Sequence, residues 1–193
     1  MGAEINDENE VLESLRRSIS AGEGKELAAR VYDLDTLLLK TGEYSDPLFE
    51  ELLNILGEPQ FVSMDGSWHL LRLFENSWDY LTEGQRGRLL EAFEASYGEF
   101  GDWMSCFVIS EILGRQYADE RALQTFRRLK RLKAHVPRSL IPHGLEHLAR
   151  GRQSENIARR AFDELSGMRN DPSAQVREEV NAALARLARD GRK

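Results

Sequence analysis

Asp171-Pro-Ser-Ala-Gln-Val176-Arg177-Glu-Glu-Val180-Asn-Ala-Ala183-Leu184 is the stretch from which the fold reads most directly. Asp171 offers a side-chain acceptor to the free N–H groups of a helix start. Pro172 fits the first helical position, where its missing N–H costs nothing. Val176, Val180 and Leu184 then recur every four residues, the spacing of a single helix face. The same grammar runs outward toward the N-terminus. Asp46-Pro47 repeats the acid–proline start, Thr82-Glu-Gly-Gln85 has the form of a capping box, and Asp119 precedes another helical run. Gly57, Gly98, Gly151 and Gly167 stand where helices should stop. Runs of Val, Ile and Thr with the two-residue alternation of strands do not occur.

These signals predict helices near 7–20, 24–40, 47–56, 66–81, 83–98, 102–117, 120–133, 139–150, 155–167 and 172–189. Taken in pairs (7–40, 47–81, 83–117, 120–150 and 155–189), the first helices start at spacings of 40, 36, 37 and 35 residues. A period of that length, one helical hairpin per unit, predicts an all-α chain. The expected form is a right-handed α-solenoid of about five antiparallel helix pairs, spanning 1–193 as a single domain. One hairpin cannot bury its own apolar face, so each must stack on its neighbours. The expected core is Leu70, Phe74, Trp78, Leu89, Phe93, Phe107, Ile109, Leu113, Phe126, Leu129, Val176, Val180 and Leu184.

The opening stretch resembles the second-helix motif of HEAT repeats, in the armadillo-like superfamily: Asp at the inter-helix turn, Val-Arg five and six residues later, then small and leucine positions. The resemblance implies that Asp171 and Arg177 are structural, hydrogen-bonding between adjacent repeats. Earlier pairs depart from it, since six residues after Asp65 lies Leu71 and six after Asp102 lies Val108. The resemblance also implies that the second helix of each pair lines a concave surface. On helix 66–81 that surface would carry Trp68, Arg72, Glu75 and Asp79; on helix 102–117, Glu111 and Arg115.

Composition sets the outer bounds. The 193 residues are 41% apolar and 31% charged with five prolines, which excludes wholesale disorder and leaves little room for linkers. The densest apolar stretch, Trp103 to Leu113, holds eight apolar residues in eleven, about half a bilayer span, and reads as a buried helix. Cys106, the only cysteine, lies inside it and has no intramolecular disulfide partner. The acidic N-terminal stretch lacks an apolar signal core, and Asn6 stands where a myristoylation signal would carry Ser or Thr. A cytoplasmic chain is the expectation.

Charge is split along the sequence. Residues 1–111 hold 23 acids and 8 bases, net −15, and residues 112–193 hold 10 acids and 18 bases, net +8. An acidic half steers basic partners. The counter-signal is Phe126-Arg-Arg-Leu129-Lys-Arg-Leu132-Lys133, whose bases could form a phosphate-binding stripe, although overall acidity and missing aromatic interleaving oppose nucleic acid.

One string looks catalytic. His143-Gly144-Leu145-Glu146-His147 matches the H-x-x-E-H pattern of inverted zinc peptidases, whose histidines share a helical face and whose glutamate activates water. Only 46 residues follow it, leaving little chain for the usual downstream third ligand, and Ser139 reads as the N-cap of its helix. The expectation is a metal-free polar stripe of His143, Glu146, His147 and Arg150, with no catalytic residue and no cofactor. Together these readings predict a non-enzymatic protein-binding module. The most specific form is an acidic immunity or inhibitor protein that neutralises a basic enzyme such as a nuclease toxin. The alternatives are a scaffold or chaperone-like HEAT adapter and a nucleic-acid-binding repeat protein of the DNA glycosylase type.

Overall fold

The computed structural model describes residues 8–151 and 154–190. The expected helix start at residue 7 and the N-terminal residues read against signal and lipidation patterns lie outside them. The chain packs as two compact units, one ending at Ser105 and one beginning at Cys106. Among the described residues there is no strand. The first unit holds α1 (Glu8–Ala21), α2 (Gly24–Thr41), α3 (Asp46–Leu56), α4 (Pro59–Ser63), α5 (Trp68–Asn76) with a 3₁₀ turn at Trp78–Tyr80, α6 (Glu83–Ser96) and the start of α7 (Trp103–Ile112). The second holds the rest of α7, a π turn (Leu113–Tyr117), α8 (Glu120–Leu129), α9 (His135–Arg150), α10 (Glu155–Gly167), a 3₁₀ turn (Met168–Asn170) and α11 (Ala174–Asp190). The unit boundary also divides the charge: residues 1–105 hold 22 acids and 8 bases, net −14, and residues 106–193 hold 11 acids and 18 bases, net +7.

The hairpin period is visible as bonding. In the first unit Arg16 of α1 pairs with Glu51 of α3 and, at 2.7 Å, with Glu58; Arg88 of α6 reaches Glu50 of α3; Ser67 meets Ser105 at 2.8 Å. In the second, Arg160 of α10 grips Glu120 of α8 at 2.6 and 2.8 Å, and Arg127 and Lys130 both bond Glu164. Arg138 of α9 holds Asp171 at 2.8 and 2.9 Å. All of these pairs are separated by 33 to 42 residues, one hairpin along the chain. Most of the ion pairs among them are at least partly exposed, so solvent screening leaves them weak. Arg138–Asp171 differs, with side-chain exposures of 8% and 10%.

Of the expected core, all but Phe107 is buried, from Leu70 and Phe74 through Val180 and Leu184. Phe107 is half-buried, and its ring stacks on the imidazole of His143. The capping box at Thr82 forms both of its bonds, and Asp119 caps α8. Elsewhere the punctuation shifts. Ser45, not Asp46, caps α3, so Pro47 falls one residue further in. Asp171 does not cap α11 but accepts from Ser173 N and from Arg138, and Arg177 turns back onto the carbonyls of Asp171 and Pro172 at 2.7 and 2.9 Å. Ser139 lies inside α9, which begins at His135, because Pro137 sits in the first turn where no N–H is missed. The expected 66–81 helix breaks at Ser77, whose hydroxyl donates to Leu73 O at 2.6 Å and competes with the helical ladder.

Candidate functional site

The second unit contains an unusually close approach. A β-carbon added at Gly144 of α9 would stand 2.6 Å from the Ser110 carbonyl oxygen and 2.7 Å from Phe126 Cε1. One at Gly114 in the π turn would overlap the Gly144 carbonyl and lie 2.9 Å from His147 Cβ. Backbone therefore touches backbone here, which only glycine allows. The π turn closes on Ala118, held in the left-handed region at φ 46°, with its N–H 3.4 Å from Leu113 O. Wide turns of this kind recur at functional sites.

The approach brings Glu111, from the end of α7, against His143 and His147 of α9. One ligand-capable atom from each lies within 4.8 Å of the others. Glu111 is 7% exposed. The His143 ring stacks on Phe107 at 4.3 Å between centroids and meets His147 edge-on at 4.6 Å. His143 Nε2 is fully buried and has no hydrogen-bond partner; Glu111 Oε1, at 3.7 Å, is beyond reach. An orphaned buried polar atom costs about 1–3 kcal/mol. Burial pushes His143 below the ordinary imidazole range, against the pull of Glu111 and Glu146. Burial, then the neighbouring His143 and Arg115, depresses His147 to about 4. Exposed Arg115 lies 3.3 Å from Glu111. The downstream glutamate expected of the peptidase pattern is not what completes this trio; upstream Glu111 does.

Glu146 faces elsewhere. Its carboxylate, 2% exposed, accepts from Arg186 of α11 at 2.7 and 2.9 Å and from Arg150 at 2.6 Å; Arg150 also pairs with Asp190 at 2.9 Å. The glutamate of the motif is thus a strut between α9 and α11, closed to the work of a general base.

The four candidate residues of the first unit form a looser set. Half-buried Trp68 stacks on His69 at 3.7 Å and lines a cleft of about 440 Å³ with Gly24, Lys25, Ala28 and Asp65. Arg72 and Glu75 pair with one another, and exposed Asp79 sits in the 3₁₀ turn beyond the end of α5. Further along α2, which contributes Ala28 to the cleft, Tyr32 is 72% exposed and Leu39 is 64% exposed. Spaced by seven residues from one another, they share a helix face with Ala28 of the cleft wall. These two, Phe107 and Arg186 are the participants that periodicity missed. An apolar residue reads as core wherever it recurs, and an arginine late in a helix reads as solvated. No protein-family profile, curated protein or solved structure matches the chain.

Proposed function

We propose that this protein is a non-enzymatic, HEAT-like α-solenoid module that binds a basic protein through the α2 face of its acidic unit. The observation that carries the reading is the exposed Tyr32–Leu39 stripe, beside the Trp68 cleft, in a unit of net charge −14. An exposed aromatic and a leucine on one rigid helix are anchors of the kind that dominate interfaces once desolvated. The surrounding acids would speed encounter with a cationic partner. The repeat period of the hairpins and their one-period cross-links favour the solenoid form, and the engagement of Glu146 by two arginines favours a role without hydrolytic chemistry. A basic enzyme neutralised in the cytoplasm, such as a nuclease toxin, is the partner this chemistry suits best. Nucleic acid suits it less, because Arg127, Lys130, Arg138, Arg160 and Arg186 of the basic unit are already engaged by carboxylates.

The test is a pull-down from the native host at low salt, repeated at high salt, followed by size exclusion and surface plasmon resonance with the basic protein recovered. The intact chain should form a stable complex whose association slows as salt shortens the Debye length from about 30 Å at 0.01 M to about 10 Å at 0.1 M. The double substitution Tyr32→Ser and Leu39→Ser should abolish the complex while leaving circular dichroism unchanged. Undiminished binding by the double variant, or an association rate indifferent to salt, would sink the proposal.

A further inference from the structure

We propose that Glu111, His143 and His147 bind one divalent transition-metal ion of the zinc class, fastening the π turn to α9. The histidines lie at i and i+4 on one helix, which puts both rings on the same face. Ligands held at zinc bond lengths of about 2.0–2.2 Å in a tetrahedron stand about 3.4 Å apart. The 3.7 Å between His143 Nε2 and Glu111 Oε1 is close to that separation and too long for a hydrogen bond. The second, independent observation is the orphaned atom itself: His143 Nε2 is buried, aimed into the trio, and bonded to nothing among the described residues. The Phe107 ring stacked on His143 at 4.3 Å restricts the plane of the imidazole.

The donor set selects the ion. Two imidazole nitrogens and one carboxylate oxygen suit zinc and its first-row neighbours, whereas calcium and magnesium take oxygen shells. Solvent supplies the fourth ligand on the half-exposed side of the histidines. Arg115, whose side chain is 53% exposed, has room to swing from Glu111 as the ion enters. Glu146 stays with Arg186 and Arg150, so a metal-bound water meets no free base from the motif. The role is a fastener, not a peptidase centre. The inference is independent of the α2 docking face, which belongs to the other unit.

The experiment titrates zinc chloride into the full-length, untagged protein by calorimetry, with melting temperature followed in parallel. Stoichiometric binding should raise the melting temperature, since the ion binds the folded form. His147→Ala and Glu111→Gln, each confirmed folded by circular dichroism, should weaken binding by more than about tenfold, the loss that even outer-partner changes produce. His135→Ala, exposed at the start of the same helix, should change nothing. Cobalt(II) should develop visible bands that both ligand variants abolish. The proposal is overturned by the absence of zinc heat and melting shift, by a colourless cobalt mixture, or by full affinity in both ligand variants.

Discussion

Replacing Gly144 by alanine sets two effects of opposite sign against each other. In the interior of an exposed helix the change stabilises by about 0.5–1 kcal/mol, because alanine loses less backbone freedom on folding. At Gly144 the new methyl would stand 2.6 Å from the Ser110 carbonyl oxygen and 2.7 Å from Phe126 Cε1. Neither neighbour is the loose end of a flexible chain: one is backbone, the other a fully buried ring. Phe126 Cζ would lie nearer still, so restoring ordinary contact near 3.5 Å requires displacements of about 0.9 Å at the carbonyl and more at the ring, and overpacking of that size costs about 1–3 kcal/mol. The loss exceeds the gain, so Gly144→Ala should lower stability by about 1–2 kcal/mol. Gly87 in α6 is the matched control, since an added β-carbon there meets nothing within 4 Å. Gly87→Ala should stabilise by up to about 1 kcal/mol. Urea unfolding followed by far-ultraviolet circular dichroism reads both. A Gly144→Ala protein as stable as the original would show that the approach of α9 to the π turn is looser than described.

Acidity supplies a second prediction. His147 is depressed to about 4 in the folded protein against an ordinary 6.5, so between those values the unfolded chain binds the extra proton. Stability should therefore fall as pH drops from about 6.5 toward 4. The loss should be on the order of 1–2 kcal/mol after allowing for the half-exposed ring, with His143 adding in the same direction. Urea midpoints at pH 7 and pH 5 should show it, and His147→Gln should flatten the difference. Asp171, where Arg138 and the Ser173 N–H outweigh burial, is held below the usual carboxylate range, so it loses its stabilisation only in more acid solution. Asp171→Ala should destabilise by about 2–4 kcal/mol, because it removes the counter-charge of a guanidinium that is 8% exposed and leaves it only the carbonyls of Leu132 and Lys133; an unchanged midpoint in thermal unfolding would show that those carbonyls suffice. Glu146→Leu should break the strut to Arg186 and cost about 1–3 kcal/mol, while Glu111→Leu should spare it; urea titration of both separates the strut from the trio.

Helix type and order were legible because each element carries its own local punctuation, as the two bonds at Thr82 and the cap at Asp119 show. What periodicity could not supply depends on neighbours remote in sequence. Phe107 has core spacing, yet it is half-buried, and the imidazole it stacks on lies 36 residues away, where no local pattern reports it. Gly144 reads locally as a weak point in a helix. Its meaning appears only against Ser110 and Phe126. Glu111, His143 and His147 were all visible as candidates, but on separate stripes, since nothing local to residue 111 reports which helix it will meet. The start of α9 at His135, rather than 139, escapes the sequence for a local reason: proline in a first turn and proline before a turn look alike until the preceding backbone is known.

Cross-links in the second unit act between successive hairpins, so each hairpin depends on the next. Within the second unit the last hairpin, α10 and α11, supplies partners for Glu120, Arg127, Arg138 and Glu146 of the hairpin before it. Fraying at that end would not merely lose a terminal segment; it would take the carboxylate or arginine partners from Glu120, Arg127, Lys130 and Arg138 and leave Glu146 with Arg150 alone, although Arg138 and Glu146 are almost wholly buried. The last hairpin is therefore a lid on its neighbour's electrostatics, and a chain cut before Ser154 should behave as a damaged protein rather than a shorter one.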